Sequence, residues 1–323
     1  MERLRPGIWL LDKLMKASPA ASVGRMDDAA LARAQATVLP DRGVVSLILG
    51  QAQRGVEITT SVFTTPDGHP LRLRIYRWPV LPGRRPPLVV YYHGGGFALG
   101  SARQADWISS IVARRLGAIV VSVDYRLAPS HPFPAAVDDA YATACWVADH
   151  ATELGGDPAR IGVMGESAGG NLSAVVAIMA RDKGGPALAH QALLYPVTDF
   201  TEDQRRADWF RSHRSIVLSQ RDGEVFLRHY LPPGVDRRDW RISPLHAPDL
   251  SQLPPAIVVV GGLDPLHDSG VAYAKALAAA GVPVTLEDYP DMPHGFLNFP
   301  YLSASARPAM RAIVASQRAA LLA

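Results

Sequence analysis

From about residue 87 to residue 290 the chain alternates short, uninterrupted apolar runs with longer stretches of helical periodicity. The runs fall at 88–92, 118–123, 160–164, 192–195, 256–260 and 282–289. A strand that is apolar at every position has no face to give to water, so it belongs in a parallel sheet covered by helices on both sides. The segments 106–116, 135–150, 169–181 and 269–280 carry apolar residues at the three- and four-residue spacing that covering helices need. Two earlier runs, 56–65 and 71–78, are joined by Pro66-Asp67-Gly68, a turn signal that predicts antiparallel pairing where the sheet begins. The expected fold is therefore α/β, a mostly parallel sheet of about eight strands flanked by helices.

Two stretches fall outside the alternation. Residues 1–50 are Ala- and Leu-rich, helical in pattern, and broken by Pro19, Pro40 and Gly43. Residues 200–245 are rich in Arg, Asp and Trp and poor in strand signal, as an insertion between the sixth and seventh strands would be. A last helix is expected over 304–322. The division that follows is an N-terminal segment 1–50 and a main domain 51–323 interrupted by 200–245.

Composition removes several function classes. With 48% apolar and 20% charged residues the chain is too apolar for disorder, and its 323 residues can bury a large core. The net charge is only +3, with arginines scattered among acids rather than gathered in a stripe, which argues against a nucleic-acid partner. Cys145 is the single cysteine, so no disulfide forms within the chain; set in an apolar helical stretch, it is expected to be an inert buried thiol. Residues 8–11 begin like a secretory signal, but Asp12 and Lys13 interrupt them. Trp9, Leu10, Leu14 and Met15 fit an amphipathic helix instead, and no run approaches the roughly 20 apolar residues of a membrane span. A soluble, cytoplasmic protein is the expectation.

In open α/β sheets the chemistry lies beyond the carboxyl ends of the strands. Gly165-Glu166-Ser167-Ala168-Gly169 occupies such a place, between the strand near 160–164 and the helix near 169–181. Glycines on either side permit a sharp turn that pushes the serine hydroxyl outward, at a helix N-terminus that favours negative charge. The same pattern also suits a serine that merely caps the helix. His93-Gly94-Gly95-Gly96-Phe97 follows the strand at 88–92, and bare backbone there lets N–H groups approach a developing oxyanion, joined by the N–H of Ala168. His93 itself reads as support for that loop.

Later in the chain, Asp264 follows the strand at 256–260 and His294 follows the last strand. A carboxylate after the nucleophile and a histidine after the carboxylate is the chain order Ser, Asp, His found in one large class of α/β enzymes. An imidazole with an ordinary value near 6.5 can take the serine proton and return it near neutral pH. Asp268 is the competing acid, four residues on and expected in the next helix's first turn. His69 sits in an early turn, His150 and His190 flank helices, His213, His229 and His246 lie in or beside the insertion, and His267 is expected at the surface. No zinc-like ligand spacing and no phosphate-binding glycine loop follows a strand, so no metal and no cofactor is expected.

Taken together, the motifs at 93–97 and 165–170 resemble the hormone-sensitive-lipase family of esterases, bacterial family IV. The likeness extends to Asp124-Tyr125-Arg126-Leu127-Ala128-Pro129, to the stretch 131–136, to Asp264-Pro265-Leu266 and to His294-Gly295-Phe296. The resemblance implies an eight-stranded α/β-hydrolase core with a helical cap built from 1–50 and 200–245. It implies a serine carboxylesterase with Ser167 as nucleophile, Asp264 as orienting acid and His294 as base. Oxyanion donors are then the backbone N–H groups of Gly95, Gly96 and Ala168, with Gly94 a further candidate. The implied substrate is a small ester with a short to medium acyl chain, and a homodimer is the assembly common among relatives. The Ala- and Arg-rich, Lys-poor composition suits a high-GC bacterium. Trp9, Leu10, Met15, Trp209, Phe210 and Ile216 are candidate walls of the substrate pocket.

The chain departs from the resemblance at three places: Glu166 where aspartate is usual, and Ser130 and Ser269 where glutamate is common. An amidase using the same triad is a rival that paired ester and amide substrates would separate. A hormone receptor on this scaffold is a second rival, but the plant receptors of this type lack the histidine that His294 supplies. A purely structural role would leave Ser167 dispensable.

Overall fold

The computed structural model describes residues 4–17, 22–37, 48–79, 81, 83–201 and 216–323. Eight strands form one sheet: β1 (Glu57–Thr64), β2 (Pro70–Arg77), β3 (Leu88–Tyr92), β4 (Ile119–Asp124), β5 (Ile161–Glu166), β6 (Leu188–Leu194), β7 (Ala256–Gly261) and β8 (Val284–Tyr289). Their spatial order is β1-β2-β4-β3-β5-β6-β7-β8. The β1–β2 and β2–β4 pairs are antiparallel and the remaining five are parallel.

The burial of each strand follows its sequence. Every residue of β3, β5 and β7 is buried, whereas β1 at the edge is partly or fully exposed at every position but Phe63. Helices α3 (Asp106–Leu116) and α8 (Ala306–Leu321) cover one face through Trp107, Val112, Met310 and Ile313. Helices α4 (Ala135–Asp149), α5 (Ala168–Asp182) and α7 (His267–Ala279) cover the other. Both faces are thus dry, which is what strands without alternation require.

Strand β3 connects onward to β4 on one side of it, while β5 lies on its other side, so the direction of winding reverses between β3 and β5. At such a switch point the loops leaving neighbouring strands diverge and open a crevice. The loop after β3 begins with the glycine run and the turn after β5 holds Ser167.

Over this crevice lies a small third layer. Helix α1 (Pro6–Ala17) sets Ile8 into the apolar cluster beneath α3 and α8, whereas the layer itself consists of α2 (Asp28–Ala36), also N-terminal, and α6 (Gln220–Tyr230) from the insertion between β6 and β7. Val23, Leu31 and Val225 form a separate apolar cluster between them. The Asp222 carboxylate ties them with hydrogen bonds from Ser22 Oγ (2.6 Å) and the Gly24 N–H (2.7 Å) while also closing the α6 capping box with Ser219. Trp209 and Phe210 lie outside the described residues. No helix among the described residues is long and apolar enough to cross a membrane.

One strand is longer than its pattern suggests. β6 starts at Leu188, and His190 and Gln191, polar but fully buried, interrupt the apolar run that marks it. His190 thus lies inside the sheet rather than beside a helix, with Nε2 2.9 Å from Ser316 Oγ. Burial lowers its pKa to about 4. Below pH 6.5 the unfolded chain takes up a proton that the folded chain refuses until about pH 4, so this group removes about 3 kcal/mol of stability as pH falls through that window. Urea unfolding of wild type and His190→Asn at pH 7 and pH 4 is expected to show the wild type losing more stability than the variant. Equal losses would count against this assignment.

Candidate active site

The serine sits on a strained joint. β5 ends at Glu166 and α5 begins at Ala168, leaving Ser167 between them with φ 55° and ψ −116°. A non-glycine residue there costs of order 1–3 kcal/mol and persists only where the surroundings enforce it. Two observations identify the enforcement. The Ser167 N–H is held by the Leu194 carbonyl at 2.8 Å. At Gly169 a Cβ would lie 1.9 Å from the Tyr92 carbonyl oxygen, so only glycine lets α5 press this close to β3.

His294 reaches the serine from the loop after β8. Its Nε2 is 2.9 Å from Ser167 Oγ and its Nδ1 is 2.7 Å from Asp264 Oδ2. The other carboxylate oxygen, Asp264 Oδ1, accepts the Leu266 N–H at 2.8 Å. An ionised carboxylate accepts only, so Nδ1 carries the proton and Nε2 is left to accept from the serine hydroxyl. Asp264 is 3% exposed and His294 8% exposed, which keeps this relay out of competition with water. The Tyr195 ring meets the imidazole edge-on, with centroids 5.2 Å apart.

Among the described residues the competing acid and the histidines near the site are engaged elsewhere, and His213 lies outside those residues. Asp268 is in the first turn of α7 and pairs with His267, which is half-buried rather than surface-facing and also reaches Asp288. Burial would lower the His267 pKa, but the two carboxylates outweigh it and raise it. His93 is buried beneath the glycine loop, its Nδ1 2.7 Å from the Gly94 carbonyl and its ring stacked on Tyr125. Burial lowers its pKa, which suits a neutral supporting imidazole. Cys145 is half-buried on α4, its thiol pKa raised by burial.

Gly94, Gly95, Gly96 and Ala168 all line the cavity that holds Ser167 and His294. Among the described residues no protein acceptor takes the N–H of Gly95, Gly96 or Ala168. Gly94 differs from these three. Its N–H is directed behind the elbow to Glu166 Oε1 at 3.3 Å, which removes it from the group of free donors.

The cavity has a volume of about 230 Å³. Its apolar wall includes Phe97, Val197, Phe200, Val217, Leu218 and, from α6, Phe226, Leu227 and Tyr230. Phe97 stacks on Tyr230 with centroids 3.8 Å apart. Phe226 packs against the glycine loop so closely that a Cβ on Gly96 would fall 2.2 Å from its ring. Trp9 and Leu10, expected in the wall, are instead 52% and 42% exposed on α1. Met15 and Ile216 are also absent from the lining, and the chain joins it one residue later, at Val217.

Sequence reasoning missed Gln104, Tyr195, Phe226 and Asn298, all of which line the cavity. They belong to no spaced motif. Only Asn298, four residues after His294, had a positional hint.

A protein-family model for the alpha/beta hydrolase fold matches residues 89–298. Carboxylesterase NlhH of Mycobacterium tuberculosis is 46% identical over 252 residues, covering 76% of this chain and 78% of the relative. An ethyl acetate hydrolase of Pseudomonas putida is 38% identical over 256 residues, covering 78% and 79%. Among solved structures, a hyperthermophilic esterase from the archaeon Pyrobaculum calidifontis superposes with a TM-score of 0.84 at 36% identity, covering all of both chains. An ester hydrolase from the Lake Arreo metagenome, complexed with a bipyridine phosphonate derivative, gives 0.86 at 33% identity, covering 98% of this chain and 99% of that one. The chain belongs to the α/β-hydrolase family, on the hormone-sensitive-lipase-like branch of its serine esterases.

Proposed function

We propose that this chain hydrolyses carboxylic esters with short to medium acyl chains through Ser167, His294 and Asp264. The observation that carries the proposal is the relay of 2.7 and 2.9 Å from Asp264 through His294 to Ser167, beside unengaged backbone N–H groups and inside an apolar cavity.

In the first step Ser167 Oγ bonds to the ester carbonyl carbon while its proton passes to His294 Nε2. The carbonyl oxygen becomes an oxyanion facing the N–H groups of Gly95, Gly96 and Ala168. The carbon–alkoxy bond breaks, the alkoxide takes the proton from Nε2, and the acyl group stays on Ser167. Water then gives a proton to the same nitrogen as its oxygen attacks the acyl carbon, and collapse returns the proton to Ser167 with release of the acid. Asp264 holds the imidazole tautomer and stabilises its cation.

The chain-length limit is supported by the cavity, whose 230 Å³ falls below the roughly 300–1,000 Å³ of pockets for drug-sized ligands. Segments 1–50 and 200–245 act in this proposal as the two parts of a cap, supported by the Asp222 bonds and the shared Val23, Leu31 and Val225 cluster. A homodimer and a cytoplasmic location complete the proposal, and size-exclusion chromatography and cell fractionation test them.

The deciding experiment pairs a p-nitrophenyl ester series, acetyl to palmitoyl, with fluorophosphonate labelling of wild type and Ser167→Ala. Expected are activity that peaks at short or medium chains, one label per chain, and no label on the variant. Folded wild type that neither labels nor hydrolyses any member would overturn the proposal.

A further inference from the structure

Glu166, one of the three places where the sequence departs from the pattern it resembles, is also the point where the active-site loops meet. The side chain is 1% exposed, directly before the nucleophile. Its Oε1 accepts from the Gly94 N–H (3.3 Å) and from Gln104 Nε2 (2.9 Å); its Oε2 accepts from the Tyr195 hydroxyl (2.9 Å) and from Asn298 Nδ2 (2.5 Å). Those partners come from four different segments: the glycine loop, the turn before α3, the end of β6 and the turn after His294. None is a cation. All four donate, which fits the acceptor-only carboxylate, whereas a carboxamide would set its own N–H₂ against two of them. A buried acceptor with this many donors is costly to remove and rigid while intact.

Through these bonds Glu166, which also lines the cavity, touches both halves of the chemistry. Gly94 precedes the oxyanion donors Gly95 and Gly96, and Gln104 also holds the Gly94 carbonyl (3.3 Å). Asn298 closes the short turn that follows His294, and the Tyr195 ring packs on the imidazole. Burial beside this carboxylate raises the Tyr195 pKa well above its ordinary value, so the hydroxyl stays protonated and keeps donating.

We propose that Glu166 is a positioning residue that holds the oxyanion loop and the base-bearing loop in register, so that turnover rather than substrate binding depends on its carboxylate. This deepens the esterase proposal and rests on it. A loss of register by an ångström between reacting groups costs about 10²-fold in rate. The cost falls on kcat, because the apolar wall that binds the acyl chain is not bonded to Glu166.

The test measures kcat and KM on p-nitrophenyl butyrate for wild type, Glu166→Gln, Glu166→Asp and Asn298→Ala, each normalised by fluorophosphonate titration of active sites. Titration counts only folded, reactive sites, so a variant that folds poorly does not mimic a slow one. Expected is a drop in kcat per titrated site of about 10²-fold for Glu166→Gln and about 10-fold for Asn298→Ala. KM should stay within about threefold, and Glu166→Asp, which keeps the charge, should recover most of the Gln loss. Should Glu166→Gln give no folded protein, Asn298→Ala decides. A kcat per site within twofold of wild type in the deciding variant, or a loss carried by KM, overturns the proposal. Failure of the wild type to react with fluorophosphonate at all would instead refute the esterase proposal, which keeps the two failures distinct.

Discussion

Replacing His294 with alanine is expected to lower kcat on a short p-nitrophenyl ester by about 10⁶-fold. The size of the effect follows from how the relay is built. Among the described residues Ser167 Oγ has one side-chain partner, His294 Nε2. The two carboxylates that also line the cavity are engaged elsewhere, Glu166 with Gly94, Gln104, Tyr195 and Asn298, and Asp199 with His246 and the Thr201 N–H. Without the imidazole the hydroxyl must attack with its proton in place. KM is expected to change little, because the apolar wall that includes Phe97, Phe226 and Leu227 is left intact. The free N–H groups of Gly95, Gly96 and Ala168 remain, and oxyanion stabilisation with binding alone retains about 10³–10⁴-fold over water. A stronger demand concerns the double variant. When nucleophile and base act as one unit, removing both costs about as much as removing either. Ser167→Ala/His294→Ala should therefore be no slower than His294→Ala. Losses that multiply would mean that the two side chains serve separate steps, and the relay would be wrong.

The framework of this site was legible because each part carries a local signature. Parallel strands buried on both faces leave continuous apolar runs, and β3, β4, β5, β7 and β8 lie close to where those runs fall. Residues after strand ends form a crevice whatever the rest of the chain does, so the glycine run, Ser167, Asp264 and His294 could be gathered from order alone. Where polar residues are buried the signal fails. His190 and Gln191 hide half of β6, because a buried imidazole looks in sequence like an exposed one. The pocket wall was the least legible. Trp9 and Leu10 have the right chemistry for it but point outward, while Phe226, on a helix with four charged residues, points in. Which face of a short capping helix turns inward depends on its docking against Val23 and Leu31, two hundred residues away in the chain. Glu166 lies between these cases. Its position was conspicuous, but its partners Gln104, Tyr195 and Asn298 share no spacing that would have named them.

Asp264→Asn is expected to lower kcat about 10⁴-fold while leaving the fold and the nucleophile intact. The reason lies in the two hydrogen bonds that the carboxylate makes. Oδ1 accepts the Leu266 N–H at 2.8 Å, and Oδ2 accepts from His294 Nδ1 at 2.7 Å. Asparagine has one acceptor oxygen and one amide nitrogen in their place. The Leu266 N–H is a fixed donor, so the oxygen must stay with it, and the amide then presents N–H to Nδ1. That nitrogen can meet it only as an acceptor, which moves the ring proton to Nε2. Nε2 then faces Ser167 as a donor, and the serine proton has nowhere to go. The variant should still titrate slowly with fluorophosphonate, since Ser167 and the N–H groups are in place, which separates a wrong tautomer from a lost site. The competing acid provides the control. Asp268 pairs with His267 at 2.9 Å and has no bond to His294, so Asp268→Asn should turn over at close to the wild-type rate. Near-normal turnover in Asp264→Asn, with a large loss in Asp268→Asn, would reverse the assignment of the orienting acid.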